Sequence, residues 1–455
     1  MRLKKKTISR RQNDEGVVIT LVAMFMLFIV GAMAALSIDV VTFYTARSEA
    51  QLAADSGALA AARVLANSGM TSDVTENSIP TAETLATTVA MQVASSNYVG
   101  GRTLVPGGAC PGAEICVSFP NQGDALAFDT NPHVTVQVQR TDVPTFFGRI
   151  WGSKQVTVTA SATAEAYNPS GANVATGTVI PVAPMCVKPW LLPNIDPSNL
   201  VPNLPIFNTT NGNIATTTLL GYQASTAAAR MRPRCTNCGA PGVPIQWRYY
   251  PGKPSNFPAP TTALPACTPA LTTAYEKSIA GCVQTPIACN AQVEIDNTNY
   301  PTRDTETADG VNCLTHATAA ADDADQVDVS GGVNPPYQFL AGAANPVAVA
   351  NPALLEQDMT VSDSLVTVPV YDVGSGTTPP PVPPGTVTII GFVQLFLNYD
   401  GAETPNVGGP ASLNGRVKTM VINLAGCGGS GGATAAQPIL GNGASPVAVR
   451  LITPP

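Results

Sequence analysis

Residues 17–66 read VVITLVAMFMLFIVGAMAALSIDVVTFYTARSEAQLAADSGALAAARVLA, and this stretch decides the fold of the N-terminal part of the chain. Its first part, residues 17–38, contains no charged residue. A helix of about 20 apolar residues, rising about 1.5 Å per residue, is long enough to cross the hydrocarbon core of a bilayer. Residues 17–38 are therefore predicted to form a transmembrane helix.

The second part of the stretch, residues 39–66, is predicted to continue the same helix outside the membrane, and we call it the stem. It contains no proline, its only glycine is Gly57, and alanine, the best helix former, dominates. Asn67 and Gly69 follow as residues that commonly end a helix. One helix through both parts would be roughly 75 Å long. The small side chains of the stem predict close packing against a sheet or another helix.

The charges on either side of the apolar run predict its orientation. Residues 1–16 contain six Lys or Arg residues, whereas Asp39 opens the opposite flank. The positive-inside rule then places residues 1–16 in the cytoplasm as a basic tail and the bulk of the chain outside it. An alternative is that Ala32 and Ala34 form part of a signal-peptidase site, which would make the protein secreted.

The composition is that of an envelope or secreted protein. Only 12% of the 455 residues are charged, about half the usual share, so uncharged polar and small residues must form much of the surface. The formal net charge of −7 offers no basic face, and nucleic-acid binding is not expected.

All ten cysteines follow the predicted transmembrane helix, which indicates disulfides in an oxidising compartment. Cys110 and Cys116 are close in sequence and are predicted to close a hairpin, whereas the other pairings stay open. The disulfide candidates are Cys110, Cys116, Cys186, Cys235, Cys238, Cys267, Cys282, Cys289, Cys313 and Cys427.

Residues 39–167 are predicted to combine the stem with a small α+β module. Alternation of apolar and polar residues predicts strands, and leucine and valine four residues apart predict a second helix. The predicted elements are a helix at 81–97, strands at 114–119, 133–140 and 155–166, and a short helix or turn at 143–152. The aromatic residues Phe146, Phe147 and Trp151 are expected in the core, with a membrane-surface or partner patch as the alternative.

Residues 168–205 are rich in Pro and Asn and are predicted to be a linker. Residues 206–455 are predicted to form a loop-rich, disulfide-bonded β domain. Its strongest strand patterns lie late in the chain, at 364–373, 386–399 and 416–426.

Residues 12–66 resemble the N-terminal domain of TadG-like proteins of the Flp (tight-adherence) pilus assembly system. The residues that carry the resemblance are Gly16, Asp39, Tyr44, Arg47, Gln51, Ala53, Ala54 and Asp55. The resemblance implies a pilin-like α+β module, a bacterial inner (cytoplasmic) membrane location with the bulk periplasmic or extracellular, and a role in assembling or anchoring an adhesive pilus. The implied partners are the lipid bilayer and the pilus machinery or pilin-like proteins.

Two acidic positions and one departure from the pilin pattern refine this expectation. Processed pilins and their relatives carry Glu five residues after the cleavage glycine, whereas Leu21 stands five residues after Gly16 here. We therefore expect an uncleaved anchor. Asp39 is expected to be an interfacial charge that ends the membrane segment. Asp55 is either a packing contact or a solvated helix acid.

Patterns for catalysis or metal binding are weak. Cys235, Cys238, Cys313 and His316 have the pairwise spacing of zinc ligands, but disulfides are the preferred interpretation. The acidic stretch 322–332 lacks the ligand order of a calcium loop and is expected to be solvated.

The chain contains only two histidines, so a histidine-dependent triad is not supported. No cofactor is predicted, and a non-enzymatic envelope protein is favoured. A secreted disulfide-rich adhesin or binding protein and a metal-dependent envelope enzyme are the alternatives.

Overall fold

The structure is a computed structural model. It describes residues 11–73, 77–120, 131–170, 180–198, 204–216, 218–224, 231–233, 248–264, 266–296, 300–316, 324–328, 334–359, 361–373, 385–398, 416–427, 438–440 and 444–452. Cys235, Cys238, most of the 322–332 stretch and residues 1–10 of the basic tail lie outside these ranges.

The chain is a mixed helix and sheet protein, which confirms the predicted α+β class. The helices are α1 (Arg11–Asn67), α2 (Ile79–Ser95), α3 (Ala274–Ala280), α4 (Tyr300–Leu314) and α5 (Pro346–Ala350). Helix α1 joins the predicted transmembrane segment and the stem in one element of 57 residues. It is the one described helix that is long and apolar enough to cross a membrane.

The two parts of α1 differ in exposure. The apolar side chains of residues 17–38 are mostly exposed, including Phe28 at 69% and Met33 at 69%. In the stem, Ala46, Ala50 and Ala53 recur every three or four residues and are at most 1% exposed. This spacing places them on one face of the helix, so the stem buries a stripe of small residues as expected.

The strands of the described ranges form five sheets. They are β1 (Tyr98–Val99), β2 (Arg102–Thr103), β3 (Ile115–Ser118), β4 (His133–Pro144), β5 (Gln155–Tyr167), β6 (Val182–Ala183), β7 (Trp190–Pro193), β8 (Gln223–Ala224), β9 (Arg232–Pro233), β10 (Arg248–Pro251), β11 (Gln292–Glu294), β12 (Gln326–Asp328), β13 (Gln338–Leu340), β14 (Asp358–Met359), β15 (Leu365–Tyr371), β16 (Thr386–Leu397), β17 (Thr419–Gly426), β18 (Ile439–Leu440) and β19 (Ala448–Ile452). The four-stranded sheet has the order β19-β5-β4-β3, and the largest sheet has the order β8-β17-β16-β15-β7-β10-β9, with β11 paired to β16.

The chain divides into two compact units. Unit 1 comprises residues 1–57, 91–116 and 136–162, and unit 2 comprises residues 58–90, 117–135 and 163–455. The boundaries predicted at 39–167, 168–205 and 206–455 follow a different division and stay predictions.

The large sheet of unit 2 is buried on both faces. Along β15, Val366, Val368 and Val370 enter one hydrophobic cluster, whereas Leu365 and Tyr371 enter two others. Successive residues of a strand point to opposite faces, so this alternation puts apolar side chains on both sides of the sheet. Helices α3 and α4 contribute Tyr275, Ile279, Val311 and Leu314 to the first cluster.

Part of the predicted linker belongs to this sheet. Strand β7 lies between β15 and β10, and Trp190, Leu191 and Leu192 are at most 2% exposed. Three consecutive large apolar residues are costly to leave in water, which accounts for a buried strand inside the predicted linker. The linker bounds of 168–205 stay a prediction.

Among the described residues, four cysteine pairs are disulfide-bonded. The Cys110–Cys116 pair is confirmed. Unit 2 contains three further disulfides, namely Cys186–Cys282, Cys267–Cys313 and Cys289–Cys427.

Candidate anchoring and packing sites along the stem helix

Asp39, the first residue after the charge-free run, is bound by a turn of unit 1. Its Oδ1 accepts a hydrogen bond from the N–H of Phe146 at 2.9 Å, and its Oδ2 accepts one from the N–H of Gly148 at 2.7 Å. The N–H of Phe147 points at both oxygens, at 3.3 and 3.2 Å. Three successive backbone N–H groups that converge on one carboxylate form an anion-binding nest.

The turn holds this shape through local contacts. Its chain reverses between Gly148 and Ser153, where the N–H of Ser153 donates to the carbonyl of Gly148 at 3.1 Å. Gly152 adopts a φ of +92°, a left-handed conformation that favours glycine. The hydroxyl of Thr145 also donates to the carbonyl of Ser153. The nest is therefore set by the turn itself.

The nest keeps the Asp39 carboxyl charged. Asp39 is 4% exposed, and burial on its own would raise the pKa of the carboxyl. The hydrogen bonds from Phe146, Gly148 and Phe147 outweigh burial and lower that pKa below its usual value. Asp39 therefore meets its hydrogen-bonding needs within its own chain.

Further along the stem, two polar side chains bind backbone groups of the same unit. The Glu49 carboxylate accepts the N–H of Gly100 at 2.6 Å. The Gln51 amide donates to Asp55 at 2.8 Å and to the carbonyl of Ser161 at 3.2 Å. Together with Asp39, these residues bind the stem to other segments of unit 1 at three positions along the helix.

The residues that carry the family resemblance take several positions. Ala53 and Ala54 are fully buried, whereas Asp55 is half-buried and accepts a hydrogen bond from Gln51, one turn earlier on the same helix. Both interpretations of Asp55 stay open. Gly16, Tyr44 and Arg47 are exposed. The structure thus brings Gln51 and Asp55 together and leaves Tyr44 facing outward, at 68% exposure.

The aromatic residues of the predicted core behave differently from the expectation. Phe146 is 63% exposed, and Phe147 is half-buried. The expectation of a core position is wrong for Phe146, whose backbone N–H binds Asp39 while its side chain stays exposed. The side chain of Trp151 lies outside the described part of the chain.

An ion-pair cluster ties together β2, the end of β4 and the loop before β3 in unit 1. The Arg102 guanidinium bonds to Glu114 and, at 3.0 Å, to Asp142, which also pairs with Arg140 at 2.8 Å. Hydrogen bonds from these arginines lower the pKa of both carboxyls. Glu114 lies within the loop that the Cys110–Cys116 disulfide closes.

The C-terminal end of α1 lies in unit 2, where it meets a buried row of polar side chains. Thr367, Gln394 and Asn423 face one another across β15, β16 and β17 and are fully buried. The Nδ2 of Asn423 donates to the Oε1 of Gln394 at 2.8 Å and to the carbonyl of Ala66 near the helix end. The Nε2 of Gln394 donates to Asn67 at 3.3 Å.

Residues just after the helix complete this network. The Ser72 hydroxyl lies 3.0 Å from the Oδ1 of Asn423 and 2.9 Å from the carbonyl oxygen of Leu424, and its one proton can be donated to either. The buried Asn168 amide donates to the same carbonyl at 2.9 Å and to the carbonyl of Thr71 at 3.1 Å. The last carbonyls of a helix have no partners within the helix, and here side chains of the sheet supply one.

Gly69 ends the stem as expected. Its φ of +84° favours glycine, and an added Cβ would lie 2.7 Å from the Tyr337 ring and 2.8 Å from the carbonyl oxygen of Ile422. The chain can therefore turn against the sheet only because this position has no side chain.

Among the residues considered for metal binding or catalysis, those that the structure describes have other partners. Cys313 is bonded to Cys267, and His316 lies 2.9 Å from Asp363. His133 lies 3.7 Å from Glu165, which also binds Arg450 at 2.7 Å. Within the described ranges, no group of three or more His, Cys, Asp and Glu residues is arranged to hold a metal ion.

The sequence analysis did not identify the buried polar row, formed by Thr367, Gln394 and Asn423, or the role of Asn168. The available signal is a single amide inside an apolar strand, as in GFVQLFL around Gln394 and MVINLAG around Asn423. A buried amide must be hydrogen-bonded, so such a residue marks a point where another segment is held.

Comparison with protein families finds one match within the N-terminal helix. Residues 16–64 match the family described as "Putative Flp pilus-assembly TadE/G-like". Searches of curated proteins and of solved structures give no significant match. The match covers the predicted membrane segment and nearly all of the stem, including every residue on which the resemblance rests. Over residues 16–64, this chain is therefore similar to the Tad domain of TadE/G-like pilus-assembly proteins, which supports a TadG-like protein.

Proposed function

We propose that this protein is a non-enzymatic, single-pass envelope protein that assembles or anchors a Flp/Tad-type adhesive pilus. Residues 17–38 cross the bacterial inner membrane, with the basic tail in the cytoplasm and residues 39–455 on the other side of the membrane. The observation that carries the proposal is the match of residues 16–64 to the pilus-assembly family.

Two features of the structure support a membrane-anchored role. The apolar half of α1 exposes its side chains all round, which is stable only in lipid or against a partner of similar character. The stem continues the same helix without a break and is fixed to folded structure by Asp39, Glu49 and Gln51. Such a helix transmits force or position from the membrane to the outer part of the chain.

The four disulfides support an extracytoplasmic location. Structural disulfides form and persist in oxidising compartments, and those described here all lie after the membrane segment. This agrees with the orientation that the positive-inside rule predicts.

Deletion of the gene in the source bacterium tests the pilus role. We expect loss of surface pili or of surface attachment, with recovery when the full-length chain is supplied. A chain whose residues 17–38 are replaced by a cleavable signal peptide serves as the control, since it delivers the same outer units without an anchor. Normal piliation in the deletion strain would contradict the proposal.

A further inference from the structure

The turn that binds Asp39 has an exposed outer surface at the end of the membrane segment. Phe146 is 63% exposed and Arg149, three residues later, is also exposed. On the helix itself, Val41 and Tyr44 are exposed at 64% and 68%. We call Val41, Tyr44, Phe146 and Arg149 the interfacial patch.

The height of this patch relative to the membrane follows from helix geometry, and the argument therefore rests on the proposed membrane span. Residues 17–38 form 22 helical positions, which measure about 33 Å and match a hydrocarbon core about 30 Å thick. Asp39 then lies at the boundary between hydrocarbon and headgroups. The N–H groups of Phe146 and Gly148 lie within 2.9 Å of its carboxylate oxygens, so the turn lies at the same depth.

The polar layer outside the hydrocarbon core is about 5–8 Å deep. Tyr44 lies five residues beyond Asp39, or about 7.5 Å along the helix axis. The interfacial patch therefore lies in the headgroup layer. Phe146 is at the boundary between this layer and the hydrocarbon core, and Tyr44 is near the outer edge of the layer.

The chemistry of the patch fits that layer. Aromatic side chains are enriched at membrane–water interfaces, where an apolar ring and polar surroundings meet. A basic residue at the same level interacts favourably with lipid phosphate groups. The carboxylate of Asp39 is turned to the three backbone N–H groups that bind it, whose partial positive charges offset part of its field.

We propose that the turn carrying Phe146 and Arg149 docks onto the outer headgroup layer of the bilayer, with Tyr44 beside it. The carboxylate of Asp39 positions the turn, and the lipid surface covers its exposed aromatic side chain. The part of unit 1 that follows the membrane segment is thereby held at the membrane by a second contact, in addition to the spanning helix.

Quenching of tryptophan fluorescence by brominated lipids tests this docking. Full-length protein is reconstituted into vesicles of phosphatidylcholine and phosphatidylglycerol that carry bromine either near the headgroup or near the chain end. Three variants are compared with the wild-type chain, which has three Trp residues as a common background: Phe146→Trp, Phe28→Trp and Tyr98→Trp.

The two additional variants are matched controls. Phe28 lies in the middle of the predicted span and reports whether the helix crosses the bilayer. Tyr98 is 65% exposed in the same unit, two residues before Gly100. Gly100 binds Glu49, which lies ten residues beyond Asp39, or about 15 Å farther from the membrane.

We expect strong quenching of Phe28→Trp by deep bromine, quenching of Phe146→Trp by shallow bromine, and little change for Tyr98→Trp. Quenching of Phe28→Trp without quenching of Phe146→Trp would overturn the docking while leaving the span intact. A blue-shifted but unquenched Phe146→Trp would place another protein copy on the turn and would also overturn it. Absence of quenching in Phe28→Trp would show that residues 17–38 do not cross the bilayer, and it would contradict the proposed function as well as the docking.

Discussion

Asn423 and Gln394 face each other on neighbouring central strands, and the amide of Asn423 links Gln394 to the carbonyl of Ala66 at the end of the stem. Both side chains are fully buried. A polar pair in the middle of an apolar sheet is costly unless it is satisfied, and the helix end satisfies it. The pair therefore specifies where the end of the stem binds to the sheet of unit 2.

Replacing Asn423 should destabilise unit 2 strongly. Asn423→Ala leaves the Ala66 carbonyl and Gln394 without their buried partner, at an expected cost of about 2–4 kcal/mol in the free energy of unfolding. Urea titration of the purified chain measures this cost. Gln357→Ala, at an exposed position of the same unit, should change stability by less than about 0.5 kcal/mol. Equal stability of the two variants would contradict the role given to the polar row.

Gly69 should tolerate no side chain. Gly69→Ala meets both a left-handed backbone and contacts below 3 Å with Tyr337 and Ile422, and should cost about 3 kcal/mol or more. Gly101→Ala is the matched control, since Gly101 has a φ of +93° with nothing within 4 Å of the added Cβ. It should cost only about 1–2 kcal/mol, the price of the backbone conformation alone. Thermal unfolding followed by circular dichroism distinguishes the two.

Unit 1 should lose stability in acid. The pKa values of Asp39, Glu114 and Asp142 are lowered in the folded chain, so each carboxylate stabilises the fold above its unfolded pKa of about 4. That stability is lost as the pH falls through the lower folded pKa values. The melting temperature should therefore be steady from pH 7 to about pH 5 and fall below pH 4.

The contribution of Asp39 to this acid sensitivity can be separated. Asp39→Asn cannot ionise, so it should already be less stable at pH 7 and should lose less on acidification than the wild-type chain. Melting curves in detergent from pH 7 to pH 3 measure both quantities. Identical pH profiles for the two chains would show that the nest does not hold a charged carboxylate.

The long-range disulfide should matter more than the local one. Cys289–Cys427 closes a loop with a sequence separation of 138, whereas Cys110–Cys116 spans 6. The chain-entropy relation gives about 5 kcal/mol for the first and about 2 kcal/mol for the second. The double variants Cys289→Ala/Cys427→Ala and Cys110→Ala/Cys116→Ala, compared by urea titration, measure the difference. A larger loss from the local pair would contradict the expectation.

The long helix and the late strands could be predicted from the sequence because each is governed by one dominant pattern. A charge-free run followed by an alanine-rich stretch predicts α1, and the observed end at Asn67 is one residue beyond the predicted end. The run of apolar, β-branched and aromatic residues over 386–399 similarly predicts β16.

Other elements could not be predicted because tertiary contacts form them. Strand β7 is four residues long with Pro193 at its end, and only the neighbouring strands β15 and β10 make it a strand. Helix α4 has a polar, threonine-rich sequence, and Gly310 lies in its interior. Gly310 permits a close approach to Ile279 of α3, where an added Cβ would lie 2.8 Å from the side chain.

The candidate site was only partly accessible from sequence. Asp39 stands out by position, but its partners, the N–H groups of Phe146 to Gly148, lie more than one hundred residues away and carry no side-chain signal. Backbone donors of this kind can be identified only from the three-dimensional structure of the turn.

Intact mass and N-terminal sequencing of the chain from membrane and medium fractions test the central claim of a membrane-anchored stem most directly. We predict a full-length chain in the membrane fraction, with residues 17–38 retained. A chain that begins near Ala35 and is found in the medium would contradict the anchor and favour a secreted adhesin or binding protein.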